Sequence, residues 1–326
     1  MKKCKLCSLT LQDQDETLIN YTPNLELAYC KNCFSLINYN KELIHYLPSQ
    51  YEVEFSEDLC LIVISILDLP FFISERASYQ NIKNKILVIT KLDLLTPYFD
   101  FKEINQQLSN NFIAMKYIDV YFVRNDVDKR YLALYFNAYE KIHLYGYPLA
   151  GKTTLFKYYS NESTQDLKPC AFKTKDSLSS LVNHYEIVDH VSLNNNYLYQ
   201  EFNYQEYGPL IFSNKITRNY FNLLADQSLM IERLFIIDLL SKDANLTCFF
   251  YDNVKIKKYQ TIKKDNYFHQ DIFGLKSKNT YSTVKLSLRA HEQLYLSSLG
   301  FLTFNKQVEI NLTIAQNYRY FISDLL

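Results

Sequence analysis

Apolar positions along the chain fall into short dense runs. Leu61-Ile62-Val63-Ile64-Ser65-Ile66-Leu67, Lys85-Ile86-Leu87-Val88-Ile89 and Val120-Tyr121-Phe122-Val123 each read as a buried strand, and Lys141 to Tyr145 reads as a fourth. The segments between them run to 15 residues or more and carry helical patterning, as in Tyr131-Leu132-Ala133-Leu134-Tyr135-Phe136. Continuous apolar strands alternating with helices predict an α/β fold with a parallel sheet covered on both faces. The first 48 residues are polar and loop-like around paired cysteines. After about residue 210 the alternation fades into a helical stretch, Gln227 to Leu240, and β-branched and aromatic runs that end in turns. Three regions are expected: a module over 1–48, an α/β domain over 49–210 and an α+β domain over 211–326.

Composition narrows the class. Among 326 residues, 48% are apolar and 21% charged, enough for a core and too few charges for global disorder. Lys and Arg number 35 against 35 Asp and Glu, so the chain is no polybasic clamp and no acidic tail. The longest apolar run, Leu59 to Leu67, falls far short of the roughly 18–20 residues a membrane span needs. The 29 Tyr, 22 Phe and absence of Trp reflect coding bias; with only 5 Gly, each glycine becomes conspicuous.

Two of those glycines sit in Gly146-Tyr147-Pro148-Leu149-Ala150-Gly151-Lys152-Thr153, which fits G-x4-G-K-[ST]. An apolar strand precedes it, and Thr154-Leu155-Phe156-Lys157-Tyr158-Tyr159 follows as a helix. In that setting the glycines let the backbone wrap a phosphate at a helix N-terminus, Lys152 neutralises phosphate oxygens and the Thr153 hydroxyl ligates Mg²⁺. Chance produces such an octet in a chain of this composition roughly once in a thousand.

Thr90-Lys91-Leu92-Asp93 directly follows the second strand. This is the place and pattern of the [NT]-K-x-D loop that reads guanine, with the Lys stem on the purine face and the Asp accepting from the base's N1 and N2 donors. Adenine lacks those donors and would leave the carboxylate unpaired, at about 1–3 kcal/mol. Taken alone, the tetrapeptide is equally an ordinary charged strand-to-helix loop. In ordinary GTPases the phosphate loop comes first; here it comes second, the order a circular permutation would give.

The sequence resembles the YqeH-type circularly permuted GTPases, which act in assembly of the bacterial small ribosomal subunit. The likeness runs over essentially the whole chain. It includes Cys30-Lys31-Asn32-Cys33-Phe34 with Asn38-Tyr39-Asn40, Leu67-Asp68 ahead of the T-K-x-D loop, Arg218-Asn219-Tyr220-Phe221-Asn222-Leu223, and Leu296-Ser297-Ser298-Leu299-Gly300-Phe301-Leu302-Thr303. The resemblance implies a circularly permuted P-loop GTPase domain between an N-terminal four-Cys zinc module and a C-terminal α+β domain that binds RNA or the ribosome. It implies GTP or GDP held by residues 146–154 with Thr90, Lys91 and Asp93. Catalysis would fall to Lys152, Thr153 and Asp189, with Mg²⁺ on Thr153 and, through water, Asp189. Small-subunit rRNA or a 30S precursor would be the partner of a monomer.

Several positions depart from the family pattern. Thr90 replaces the usual Asn, a variant also found in Rho-type GTPases, and Leu149 replaces an Asn tied to potassium activation. The D-x-x-G element maps to Asp189-His190-Val191-Ser192, with Ser192 in place of its glycine, after the strand Tyr185-Glu186-Ile187-Val188. Thr174 and Ser177 are the candidates for the switch threonine, and Leu193 stands where Ras has its glutamine. Val123-Arg124-Asn125 replaces the small-residue loop at the guanine carbonyl. Slow or activator-dependent GTP hydrolysis is expected, and His190 is a candidate water-orienting group. The alternative is a catalytically degenerate, nucleotide-gated RNA-binding scaffold. A P-loop kinase or ATPase lacks a second substrate site and would set Asp93 against adenine.

Cys4-x2-Cys7 and Cys30-x2-Cys33, with twenty-two residues between the pairs, have the spacing of a closed four-thiolate zinc site, structural in role. Cys60, Cys170 and Cys248 read as packing thiols. The odd cysteine count, and a Met1-Lys2-Lys3-Cys4 start that leaves no room for a cleavable presequence, predict a reducing, cytoplasmic setting without a membrane. Lys2, Lys3, Lys5 and Lys31 around the pairs suit phosphate contact and solubility equally. In the tail, Lys255, Lys257, Lys258, Lys263, Lys264, Lys276 and Lys278 lie within twenty-four residues, interleaved with Tyr259, Tyr267, Phe268 and Phe273. Basic and aromatic side chains together suit RNA, although a solvated hairpin has the same composition.

Overall fold

The computed structural model describes residues 2–48, 57–75, 79–95, 97–100, 102, 106, 108, 116–124, 126–162, 170–192, 198–211, 215–269 and 273–324, apart from the side chains of 264, 265 and 267. Asn125, Leu193 and the Lys264 and Tyr267 side chains therefore lie outside it. The chain divides into two compact units, one of Met1–Asn195 with Phe202–Gln205, the other of Asn196–Glu201 with Glu206–Leu326. The cysteine module belongs to the same unit as the α/β sheet.

In the first unit, helix α1 (Lys31–Tyr39) follows the second cysteine pair. The sequence reading has only loop here. The Cys30 sulfur accepts the Cys33 N–H at the helix start, and Asn40 ends the helix in the left-handed region, φ 51°. A thiol cap of this kind leaves no ordinary capping signature.

Strands β1 (Leu59–Ser65), β2 (Lys85–Thr90), β3 (Asp119–Phe122) and β4 (Lys141–Gly146) lie where the apolar runs place them. Helices α2 (Leu69–Glu75), α3 (Asp126–Leu132) and α4 (Lys152–Tyr159) intervene, followed by β5 (Leu178–Val182) and β6 (Tyr185–Asp189). Together the strands form one six-stranded sheet of order β3-β2-β1-β4-β6-β5. Every pairing is parallel except that of edge strand β5 with β6. All positions of β1 and β2 are buried, which is why neither shows a polar alternation. Because β1 pairs Ser65 with Thr90 and Val63 with Gly146, the parallel strands end in line. The loops after Phe122, Thr90, Ser65, Gly146 and Asp189 thus line a single carboxyl edge, where parallel sheets hold ligands.

The second unit is built on two five-stranded antiparallel sheets. One has the order β16-β13-β14-β10-β7 and the other β11-β8-β9-β15-β12. In chain order these strands are β7 (Ile216–Leu224), β8 (Gln227–Ile231), β9 (Phe235–Leu239), β10 (Asp243–Tyr251), β11 (Ile256–Gln260), β12 (Tyr281–Leu288), β13 (Gln293–Leu296), β14 (Gly300–Phe304), β15 (Val308–Ala315) and β16 (Tyr320–Ser323). The expected helix over Gln227 to Leu240 is corrected: this segment is the β8–β9 hairpin, with Ile231 opposite Phe235. Its near-continuous apolar run conceals the period, because both faces of the hairpin are buried. Glu232 closes the turn at φ 49°, and its buried carboxylate accepts the Lys255 and Leu275 N–H groups at 2.7 and 2.6 Å. The α-helices lying wholly within this unit, among the described residues, are the short Leu198–Glu201 and Lys264–His269.

Candidate functional site

Strand β4 runs into the Gly146–Thr153 loop, and the loop into α4. A Cβ at Gly146 would stand 1.9 Å from the Val63 carbonyl oxygen, so only glycine lets β4 leave the sheet this close to β1. Gly151 (φ 95°) and Leu149 (φ 60°) are both left-handed, curling the loop ahead of the helix. Gly151 caps α4 without a side-chain hydrogen bond, and the first amides of a helix have no partners within it.

Lys152 is buried, and its Nζ donates to the Gly146 and Tyr147 carbonyls at 3.2 Å each and to Ser192 Oγ at 2.8 Å. Burial lowers its pKa to about 8, against the pull of the Asp189 carboxylate. The Thr153 hydroxyl donates to Asp189 Oδ2 at 2.7 Å. Asp189 is fully buried, and its Oδ1 has no partner among the described residues. Burial raises its pKa, opposed by Lys152, Thr153 and Lys173. The buried orphan oxygen beside a threonine hydroxyl is the donor chemistry of a hard divalent cation such as Mg²⁺. Ser192 occupies the position where a glycine is expected, and its hydroxyl tethers Lys152; a departure from a pattern carries no sequence signal for that contact.

The switch-threonine candidates separate. Thr174 is buried, and Ser177 Oγ lies 3.2 Å from His190 Nδ1. His190 Nε2 is 2.7 Å from His143 Nδ1, and His143 Nε2 is 3.5 Å from Asp58 Oδ2. Both His190 nitrogens are therefore engaged. Burial, with His143 and nearby lysines, drives its pKa down to about 3, so the ring is neutral and is not offered to a water.

The T-K-x-D loop meets the glycine loop directly. Thr90 Oγ1 donates to the Ala150 carbonyl at 2.6 Å and lies 3.3 Å from the Ile64 carbonyl. Lys91 takes a left-handed turn at φ 59° into a single 3-10 turn, Leu92–Leu94. Leu92, Leu94 and Leu95 bury themselves, while Lys91 remains half-buried and Asp93 exposed at the rim. Beyond β3, Arg124 and Asp128 form a bidentate pair, with Nε–Oδ2 at 3.0 Å and Nη2–Oδ1 at 3.2 Å.

All four paired cysteines are buried, and their sulfurs lie within 4.8 Å of one another. Cys7 and Cys30 sulfurs are 3.9 Å apart, close to the ~3.8 Å edge of a tetrahedron with ~2.3 Å Zn–S bonds. The Cys30 and Cys33 amides donate to the Cys4 and Cys30 sulfurs, both at 3.4 Å, and the Tyr46 hydroxyl lies 2.9 Å from Cys33 Sγ. The sulfur-to-sulfur hydrogen bonds hold Cys4 and Cys30 below the ordinary thiol range and push Cys7 and Cys33 above it. The cluster fits a four-thiolate zinc ion.

No protein-family model matches the chain, and no curated protein matches it. Among the described residues no helix is long and apolar enough to cross a membrane.

The tail surface differs from its expected form. Tyr259 is buried with Met230 and Ile236, and Phe268 and Phe273 pack against that cluster. Lys276 and Lys257 lie over Phe268 and Phe273, at 4.8 and 5.8 Å, which leaves these rings as core flanks rather than open platforms. Lys255, Lys258, Lys263 and Lys278 are exposed. Tyr220 on edge strand β7 is exposed, with the Arg218 guanidinium 4.8 Å over its ring.

Proposed function

We propose that this chain is a guanine-nucleotide-binding protein of the circularly permuted P-loop GTPase type, acting in small (30S) ribosomal subunit assembly through rRNA or a precursor subunit. The observation that carries the nucleotide reading is the Thr90–Ala150 hydrogen bond, which ties the T-K-x-D loop to the glycine loop at one sheet edge. The chain order is the reverse of an ordinary GTPase, yet strands β2 and β4 flank β1 in space, so a single cleft can use both loops.

In this reading the amides of residues 147–154 cradle the phosphates, and Lys152 exchanges its Ser192 contact for phosphate oxygen. Thr153 and Asp189 are the residues that would hold Mg²⁺, whose charge offsets that of the β- and γ-phosphates when bound. Lys91 covers the purine face, and Asp93 accepts from guanine N1 and N2. The four cysteines hold a structural zinc ion. Hydrolysis is slow: Leu193 stands where a water-orienting glutamine would be needed, and His190 beside Asp189 has both nitrogens engaged.

The RNA reading rests on the exposed tail lysines and on the Arg218–Tyr220 stack, chemistry suited to phosphate and unstacked bases. Co-sedimentation with small ribosomal subunits, with and without GTP, tests it. Nucleotide-dependent association that Lys152→Ala abolishes supports an assembly GTPase. Association indifferent to nucleotide favours a degenerate scaffold, and no association removes the ribosomal partner.

A further inference from the structure

The segment that leads into β5 is held from two sides. On one side stands the cysteine module. The Lys175 N–H donates to the carbonyl of Cys7 at 2.9 Å, and Cys7 is itself one of the four sulfur donors. Lys3 Nζ lies 2.6 Å from Asp176 Oδ2. The Lys175 ammonium donates to the Leu47 carbonyl and sits 5.6 Å from the centre of the Tyr46 ring, whose hydroxyl contacts Cys33 Sγ.

On the other side stands the phosphate-facing edge. Ser177 Oγ contacts His190, the neighbour of Asp189, at 3.2 Å. The next residue, Leu178, pairs with Asp189 across β5 and β6. Asp189 in turn accepts the Thr153 hydroxyl at the head of α4. Lys173, at the start of this segment, is buried.

We propose that the metal-holding module positions the Lys173–Ser177 segment against the phosphate site, so that zinc binding and nucleotide binding are thermodynamically linked. The linkage rests on the nucleotide reading above. The half-exposed Lys3–Asp176 pair contributes little by itself. The stronger connection is the Lys175–Cys7 backbone bond, because a metal that fixes the Cys7 sulfur also fixes the carbonyl a few bonds away. Released, the Cys7 loop no longer presents that acceptor, and the segment that abuts Asp189 loses its outer support. Linkage is reciprocal: the factor by which zinc tightens nucleotide is the factor by which nucleotide tightens zinc.

The test uses the full-length zinc-loaded protein and reads zinc transfer to a chromogenic chelator. Saturating Mg²⁺ with a non-hydrolysable GTP analogue is expected to slow zinc loss at least fivefold. Lys152→Ala, which leaves the cysteines untouched, is expected to lose zinc at the unprotected rate with or without nucleotide. Lys3→Glu, which sets a second carboxylate against Asp176 and pushes the segment away from the module, is expected to retain zinc and show weaker protection. A fluorescent GTP analogue, titrated in parallel, separates the two ways the idea can fail. Nucleotide binding with unchanged zinc loss overturns the linkage alone, whereas no nucleotide binding overturns the nucleotide reading and the linkage with it.

Discussion

The Thr90 hydroxyl and the Ala150 carbonyl, sixty residues apart in sequence, are 2.6 Å apart in the fold. The hydroxyl is buried and bonds two backbone carbonyls, so it fixes the end of β2 against both β1 and the glycine loop. Replacing it by the isosteric Thr90→Val leaves a buried carbonyl short of a donor, a loss of about 1–2 kcal/mol. We expect GTP affinity to fall about fivefold to thirtyfold, read by titration with a fluorescent analogue. Thr90→Asn, which restores a donor, is expected to recover part of the loss.

If Lys152 serves a phosphate, Ser192 is its side-chain competitor. The Lys152 ammonium has three acceptors, and the Ser192 hydroxyl at 2.8 Å is the shortest contact. Ser192→Ala removes the side-chain competitor and leaves both carbonyls. GTP and GDP are expected to bind about threefold or more tighter, with faster association in stopped-flow mixing. Weaker binding would mean that Ser192 supports the phosphate rather than competing with it.

Lys152 also leaves a signature in stability. Its pKa is about 8 in the folded protein and near 10.5 ordinarily. Between those values the unfolded chain holds a proton that the folded one has released, so unfolding takes up protons and stability rises with pH. At about 1.4 kcal/mol per pKa unit, the rise is on the order of 3 kcal/mol across the window. Denaturant unfolding at pH 7.5 and 9.5, without nucleotide, is expected to show wild type gaining on Lys152→Met. Equal changes in both proteins would contradict a buried, depressed lysine.

Strands β1 to β4 were legible as apolar runs, and the glycine loop ahead of α4 as glycines at fixed offsets before a lysine. The cysteine cluster was legible for the same reason. The Gln227–Leu240 hairpin was not, because burial on both faces erases the alternation that separates strand from helix. Tyr259, Phe268 and Phe273 looked like stacking platforms because sequence does not say which side of a strand or turn faces the core. Ser192 on Lys152, Lys3 on Asp176 and Cys7 on Lys175 join residues distant in sequence, and no spacing announces them.

The tail lysines give a salt-dependent prediction. Lys255, Lys258, Lys263 and Lys278 are exposed, and their joint replacement by Glu is expected to weaken rRNA binding and flatten its dependence on salt. Tyr220→Ala is expected to weaken binding to single-stranded RNA with little change in salt slope, because stacking releases no counterions. Filter binding across a salt series distinguishes the two effects; unchanged affinity in both variants would exclude this surface.

The central claim is that Asp93 and Lys152 serve one guanine-nucleotide cleft, and base selectivity tests it most directly. Fluorescent GTP, ATP and XTP analogues are titrated into wild type and Asp93→Asn. The wild type is expected to bind GTP ten- to a hundredfold or more tighter than ATP, because adenine leaves the Asp93 carboxylate unpaired. Asp93→Asn is expected to lose GTP and gain XTP, since its amide can donate to the extra xanthine carbonyl. Equal affinity of the wild type for GTP and ATP, or GTP binding untouched by Asp93→Asn, would contradict the account.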